Sequence, residues 1–212
     1  GTYFMQTSTS KQENRLMAAT LFVFFVSGAS SVMLGNLMPF LREVYDISYA
    51  RQGLLLSLPS WGNLVSIFLT GYMPTFIGRR KTVLLTAVWM AIAFAVFSTG
   101  FGGAALLPLA CLMTGIARGG NTNFSNTMMS TLPGKKSAIG YNLLHGAFAM
   151  GAVISPLALI LCTANREGGW RTMTAGIVVL CIVQLVCYGK MRLPAENVTR
   201  SIKAVDRSFL KS

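Results

Sequence analysis

The sequence predicts an all-α transmembrane protein, a six-helix bundle made of two three-helix repeats. Three observations predict it. Hydrophobic residues make up 53% of the chain and charged residues 11%, against about 25% charged in an ordinary soluble domain, and the mean hydropathy is +0.57. The apolar residues fall into six blocks, 16–40, 53–77, 82–101, 104–132, 138–164 and 172–189, interrupted by only two ionisable side chains, Arg118 and His145. Each block is near or above the roughly 20 residues that a helix rising ~1.5 Å per residue needs to cross a bilayer. The third observation is charge placement. If the spans alternate in direction, Arg42, Arg51, Arg166 and Arg171 fall on one side, Arg118 lies inside a span, and the other thirteen Lys and Arg residues share the side of both termini. The positive-inside rule makes that richer side the cytoplasm. Topology thus accounts for the net charge of +12, and nucleic acid is excluded as a partner.

The elements follow in order. Residues 1–15 form an N-terminal cytoplasmic segment, ahead of a transmembrane bundle over 16–190. The first block carries Ser27, Ser30, Ser31 and Asn36; it is too long, and too closely followed by others, to be a cleaved signal peptide. The second carries Ser57, Ser60, Trp61, Asn63 and Ser66. The third is almost uniformly apolar, which suits a lipid-facing helix. The fourth is the most polar, with the run GIARGGNTNFSN at 115–126. The fifth holds Asn142, His145 and Ser155, and its Gly140, Gly146 and Gly151 favour close helix packing. The sixth, with Gln184 as its sole amide, again suits lipid. Polarity therefore runs high, medium, low, twice over, which is the mark of an internal repeat of the kind transporters use. Residues 191–212 are read as a cytoplasmic linker. Val198, Ile202, Val205 and Phe209 stand at helical spacing among basic residues there, so the segment can also lie on a membrane surface.

Little points to catalysis. Cys111, Cys162, Cys181 and Cys187 lie in or at the ends of apolar blocks, without metal spacing or a disulfide framework. No nucleophile stands beside a base, and no glycine loop cradles phosphate. The chain is expected to be no enzyme and to use no metal or cofactor.

The fourth block carries the functional signal. At about 100° per residue, Thr114, Arg118, Asn121, Thr122, Ser125 and Met129 share a wedge of about 100°, with Asn126 just beyond it. A charge at mid-bilayer costs about 2.5–3.5 kcal/mol on insertion scales, so Arg118 must face a wet cavity or a partner. None of the six blocks contains Asp or Glu; within them its partner is a carbonyl, water or solute. Gly119 and Gly120 allow close helix approach. His145 is either a protonatable cavity group or a neutral side chain bonded to a neighbouring helix. Trp61 either stacks on a sugar ring or packs between helices.

The stretch GYMPTFIGRRKT at 71–82 resembles the loop signature of the major facilitator superfamily, Gly-x-x-x-Asp-x-x-Gly-Arg-Arg/Lys. Gly71, Gly78, Arg79 and Arg80 match, while Thr75 stands at the acidic position. The run NLLH, with Asn142 at its start and His145 at its end, is similar to the fifth helix of the fucose-permease-like branch. Asn126 and the stretch LMPFLREVYDIS at 37–48 are similar to that branch as well. The resemblance implies half of a twelve-helix fold, whose partners are the lipid bilayer and a second six-helix half, from the same chain or a second copy. It also implies a bacterial inner (plasma) membrane and a secondary transporter, a symporter, that moves a small polar solute such as a sugar by alternating access. The first helix lines the cavity in this family, so Asn36 joins Trp61, Arg118, Asn121, Thr122, Asn126, Asn142 and His145 as candidate solute contacts. Gly71, Thr75, Gly78, Arg79 and Arg80 form the gating loop, where the loss of the acid weakens a charge-based latch. Arg118 is equally open to bracing that gate. Two other readings stand beside this one: an organic-anion transporter that uses Arg118, and a non-transporting scaffold or receptor.

Overall fold

The computed structural model describes residues 10–164, 166–191 and 193. Six helices account for nearly all of them: α1 Ser10–Tyr45, α2 Tyr49–Ile77, α3 Arg79–Thr99, α4 Gly103–Ser130, α5 Lys135–Thr163 and α6 Gly169–Lys190. All six are long and apolar enough to cross a membrane. Each contains most of one apolar block and runs past it at one end or both. Polar residues leaving the hydrocarbon continue the helix at no desolvation cost. Residues 10–15, expected to precede the bundle, are therefore the first turns of α1, and Glu13 there pairs with Lys136 of α5 at 2.6 Å. The basic amphipathic segment at 195–212 lies outside the described residues.

The helices are cross-paired. The first helix of each three-helix unit packs on the second helix of the other, α1 on α5 and α4 on α2, while α3 lies against α4 and α6. Glycine makes the two crossings possible. A Cβ at Gly28 would strike the Phe148 carbonyl and one at Gly151 the Phe25 carbonyl; likewise Gly115 meets Pro59 O and Gly62 meets Leu112 O. Exchanging α1 with α4 and α2 with α5 thus maps one crossing onto the other, the geometry of a repeat. Gly140 also packs closely, against Met129, whereas Gly146 has nothing within 4 Å and does not serve the packing expected of it.

Two of three buried apolar clusters fill most of the interior, the third lying around Phe24, Met129, Leu132 and Leu144. One joins Met33, Leu37 and Leu41 of α1 to Met90, Phe94 and Phe97 of α3 and Ile177 and Cys181 of α6. The other, toward the α1 N-terminus, holds Leu16, Val23, Val83, Phe124, Met128 and Tyr188. The uniformly apolar α3 is thus not simply a lipid-facing helix: Val83, Ala87, Met90, Ala93, Phe94 and Phe97 are buried. Widest exposure belongs to α2 and α5, with Leu54, Trp61, Phe68 and Phe76 on one and Met150, Val153, Leu157 and Leu161 on the other. Composition misjudged this because lipid tails and a helix core are equally apolar.

Candidate functional site

At the junction of α1, α2 and α4 the helices leave a cleft of about 170 Å³, lined by Ser30, Ser31, Leu34, Gly35, Leu56, Pro59, Ser60, Thr114 and Arg118. Close approach at Gly115 and Gly62 brings α2 onto α4, which carries Pro59 and Ser60 beside Arg118. The guanidinium is half-buried, and its Nη1 donates to Ser31 Oγ at 2.7 Å. Ser30 turns its hydroxyl back to the Ser27 carbonyl at 3.1 Å, and Thr114 donates to Cys111 O at 2.7 Å. Each hydroxyl oxygen keeps acceptor capacity for a guest. Chemically this is a hydroxyl-lined cleft with one cation and a few aliphatic walls, suited to holding a polar molecule of modest size.

One turn along α4 from Arg118, Asn121 is fully buried. Its Nδ2 donates to Ser27 Oγ at 3.2 Å, and its Oδ1 accepts from Thr86 Oγ1 at 3.0 Å and Gln184 Nε2 at 3.5 Å. That amide ties α4 to α1, α3 and α6. It does not face the cleft, and this corrects its assignment to the solute-facing wedge: a face that is tied to three other helices cannot be wholly wet. Thr122 donates to the Arg118 carbonyl on its own helix at 3.0 Å, and the Asn126 carbonyl accepts from Tyr141 Oη at 2.9 Å. Neither residue lines the cleft.

The other expected contacts scatter. Asn36 is half-buried on α1, with a buried Nδ2 that has no hydrogen-bond partner among the described residues. Trp61, 62% exposed, follows the cleft residue Ser60 on α2. Asn142 and His145 are exposed on α5. Only Arg118 among the expected contacts lines the cleft. Ser30, Ser31, Ser60 and Thr114, which complete it, were visible as polar residues in apolar blocks, but nothing in their spacing shows that three helices bring them together.

The expected gating loop is mostly helix. Gly71 and Thr75 lie within α2, where Thr75 Oγ1 donates to Tyr72 O at 2.6 Å. Gly78 alone joins α2 to α3, at φ 82° and ψ 154°, a backbone region open essentially to glycine. Arg79 and Arg80 then open α3, Arg79 half-buried and Arg80 exposed. Among the described residues no group of three or more His, Cys, Asp or Glu side chains is placed to hold a metal.

The sequence pattern of the Major Facilitator Superfamily matches residues 20–211. The galactose–proton symporter of Escherichia coli is 24% identical over 187 residues, covering 83% of this chain and 39% of its own. A gentisate transporter of Corynebacterium glutamicum is 26% identical over 196 residues, covering 88% and 43%. The arabinose–proton symporter of Bacillus subtilis is 26% identical over 168 residues, covering 75% and 36%. Among solved structures, the proton:xylose symporter XylE bound to 6-bromo-6-deoxy-D-glucose shares the fold at a TM-score of 0.77 and 15% identity, over 87% of this chain and 46% of that one. The chain spans about two fifths of the length of these curated relatives.

Proposed function

Since the chain belongs to the major facilitator superfamily, we propose that it forms one six-helix half of a secondary transporter for a small polar solute, a sugar or related molecule. The observation that carries this is the cleft: four hydroxyl side chains and the Arg118 guanidinium meet where α1, α2 and α4 converge. Transport would proceed by alternating access, with this bundle and a second six-helix half rocking about a shared midplane site. The names of the galactose and arabinose symporters support a sugar, as does the fucose-permease-like run that ends in His145.

The remaining candidates take places in this reading. Arg118 contacts the solute, and Asn36 offers a free amide donor on the same helix as Ser31. Trp61 on α2 and Asn142 and His145 on α5 would meet the solute from the side that the second half closes. Asn126 and Thr122 support α4 at the margin of the site. Gly71, Thr75, Gly78, Arg79 and Arg80 shape the cytoplasmic gate, with the one-residue connection at Gly78 as its pivot. The basic end of the bundle faces the cytoplasm of a bacterial cell, with the N-terminus on that side. Residues 191–212 lead toward the second half.

Uptake of labelled hexoses and pentoses into vesicles containing the whole transporter tests the reading. Arg118→Gln is expected to lower uptake of the accepted solute tenfold or more while the protein still elutes as a folded species. Saturable uptake that Arg118→Gln leaves unchanged removes Arg118 from the site, and absence of any solute-specific flux favours a scaffold or receptor.

A further inference from the structure

The cleft is electrically unbalanced. Its guanidinium is permanently charged, and among the described residues the only partner that it meets at hydrogen-bond distance is a neutral hydroxyl, Ser31 Oγ at 2.7 Å. Helices α2 to α6 contain no Asp or Glu. The two in α1 sit at its ends, Glu13 held by Lys136 at 2.6 Å and Glu43 in the last turn. No described carboxylate lines the cleft. Around the cation stand the hydroxyls of Ser30, Ser31, Ser60 and Thr114, against the aliphatic Leu34 and Pro59.

We propose that the cleft accepts a sugar acid, a solute with one carboxylate on a hydroxylated body, the carboxylate on Arg118 and the hydroxyls on the serine and threonine side chains. This rests on the transporter reading above and narrows its substrate class. Within this half, a neutral sugar would leave the cation without a counter-charge in surroundings where an uncompensated charge is costly. A carboxylate supplies that charge and matches the planar fork of the guanidinium with paired charge-assisted bonds, about twice as strong as neutral ones. Ser31 takes one of the five guanidinium donors and leaves the rest for this purpose. One cation balances one negative charge, so the site selects a carboxylate over a doubly charged phosphate. The hydroxyl lining selects a polyol body over an aromatic acid.

The test is initial uptake by the whole transporter in proteoliposomes. The solutes are D-glucuronate and D-galacturonate, their neutral hexoses, glucose 6-phosphate and gentisate. The expected result is half-saturation by a uronate at a concentration at least tenfold below that of its hexose. Arg118→Gln erases this preference. Arg118→Lys, which keeps the charge but loses the fork, retains part of it. Hexoses carried as well as uronates overturn the proposal and leave the transporter reading standing. A preference for the phosphate overturns the single-charge assignment, and one for gentisate overturns the hydroxylated body. No uptake of any of these solutes by protein shown to be folded brings down both readings.

Discussion

Arg118 and Asn121 lie three residues apart on α4, yet they do different work. The guanidinium opens into the cleft beside Ser31, while the amide is sealed among Ser27, Thr86 and Gln184. Each fate follows from the neighbouring helix. A cation would be ruinously costly where Asn121 sits, and a neutral amide there satisfies donors and acceptors from three other helices. Asn121→Ala should therefore act on stability before it acts on affinity. It leaves the polar groups of Ser27, Thr86 and Gln184 short of a partner, at a cost of about 1–3 kcal/mol, readable as a lowered denaturation midpoint in detergent with half-saturation for the accepted solute little changed. A variant as stable as the parent would show that water replaces the amide. The wedge drawn from sequence located both residues on one face but could not tell a wet part of that face from a sealed one.

At the scale of elements, the glycines separate into those that set a crossing and those that do not. Gly115 sits against the Pro59 carbonyl of α2, and Gly146 has open space around it. Gly115→Leu must push α2 off α4 and open the cleft that both helices line. It is expected to abolish the folded species on gel filtration, while Gly146→Leu leaves the elution profile unchanged. Equal tolerance of the two substitutions would contradict the crossing. The α2–α3 connection makes a second case. Gly78 holds φ 82° and ψ 154°, so Gly78→Ala should cost on the order of 1–3 kcal/mol in backbone strain, seen as a lower thermal midpoint; an unchanged midpoint would mean that this turn relaxes freely. The glycine positions were legible in the sequence, but their partners were not. Gly140, Gly146 and Gly151 read alike as letters, and only the path of α1 and α4 past α5 sorts them.

For the whole molecule, the two ends differ in charge, and the widely exposed faces of α2 and α5 differ from the largely packed α3. Single cysteines in an otherwise cysteine-free variant test the orientation proposed above. Positions 81 and 134 should react with a membrane-impermeant thiol reagent only from the cytoplasmic side, and position 167 only from outside; the reverse pattern would invert the topology. A cysteine at Trp61 or His145 should lose reactivity toward an aqueous reagent when the second six-helix half is present, and unchanged labelling would leave those residues facing lipid or solvent. By itself the sequence determined the six spans, their alternation and the repeat, because a bilayer demands long apolar helices and a biased distribution of Lys and Arg whatever the packing. It also marked Arg118 as the costly residue that a cavity must explain. Only the tertiary structure decided that α1, α2 and α4 enclose the cleft, that Ser31 answers Arg118, and that α3 is largely buried. The physical reason is that helices in lipid associate through shape, small residues and polar contacts, since lipid and protein interior are equally apolar. Those determinants are pairwise and distant in sequence, so no single block reveals them.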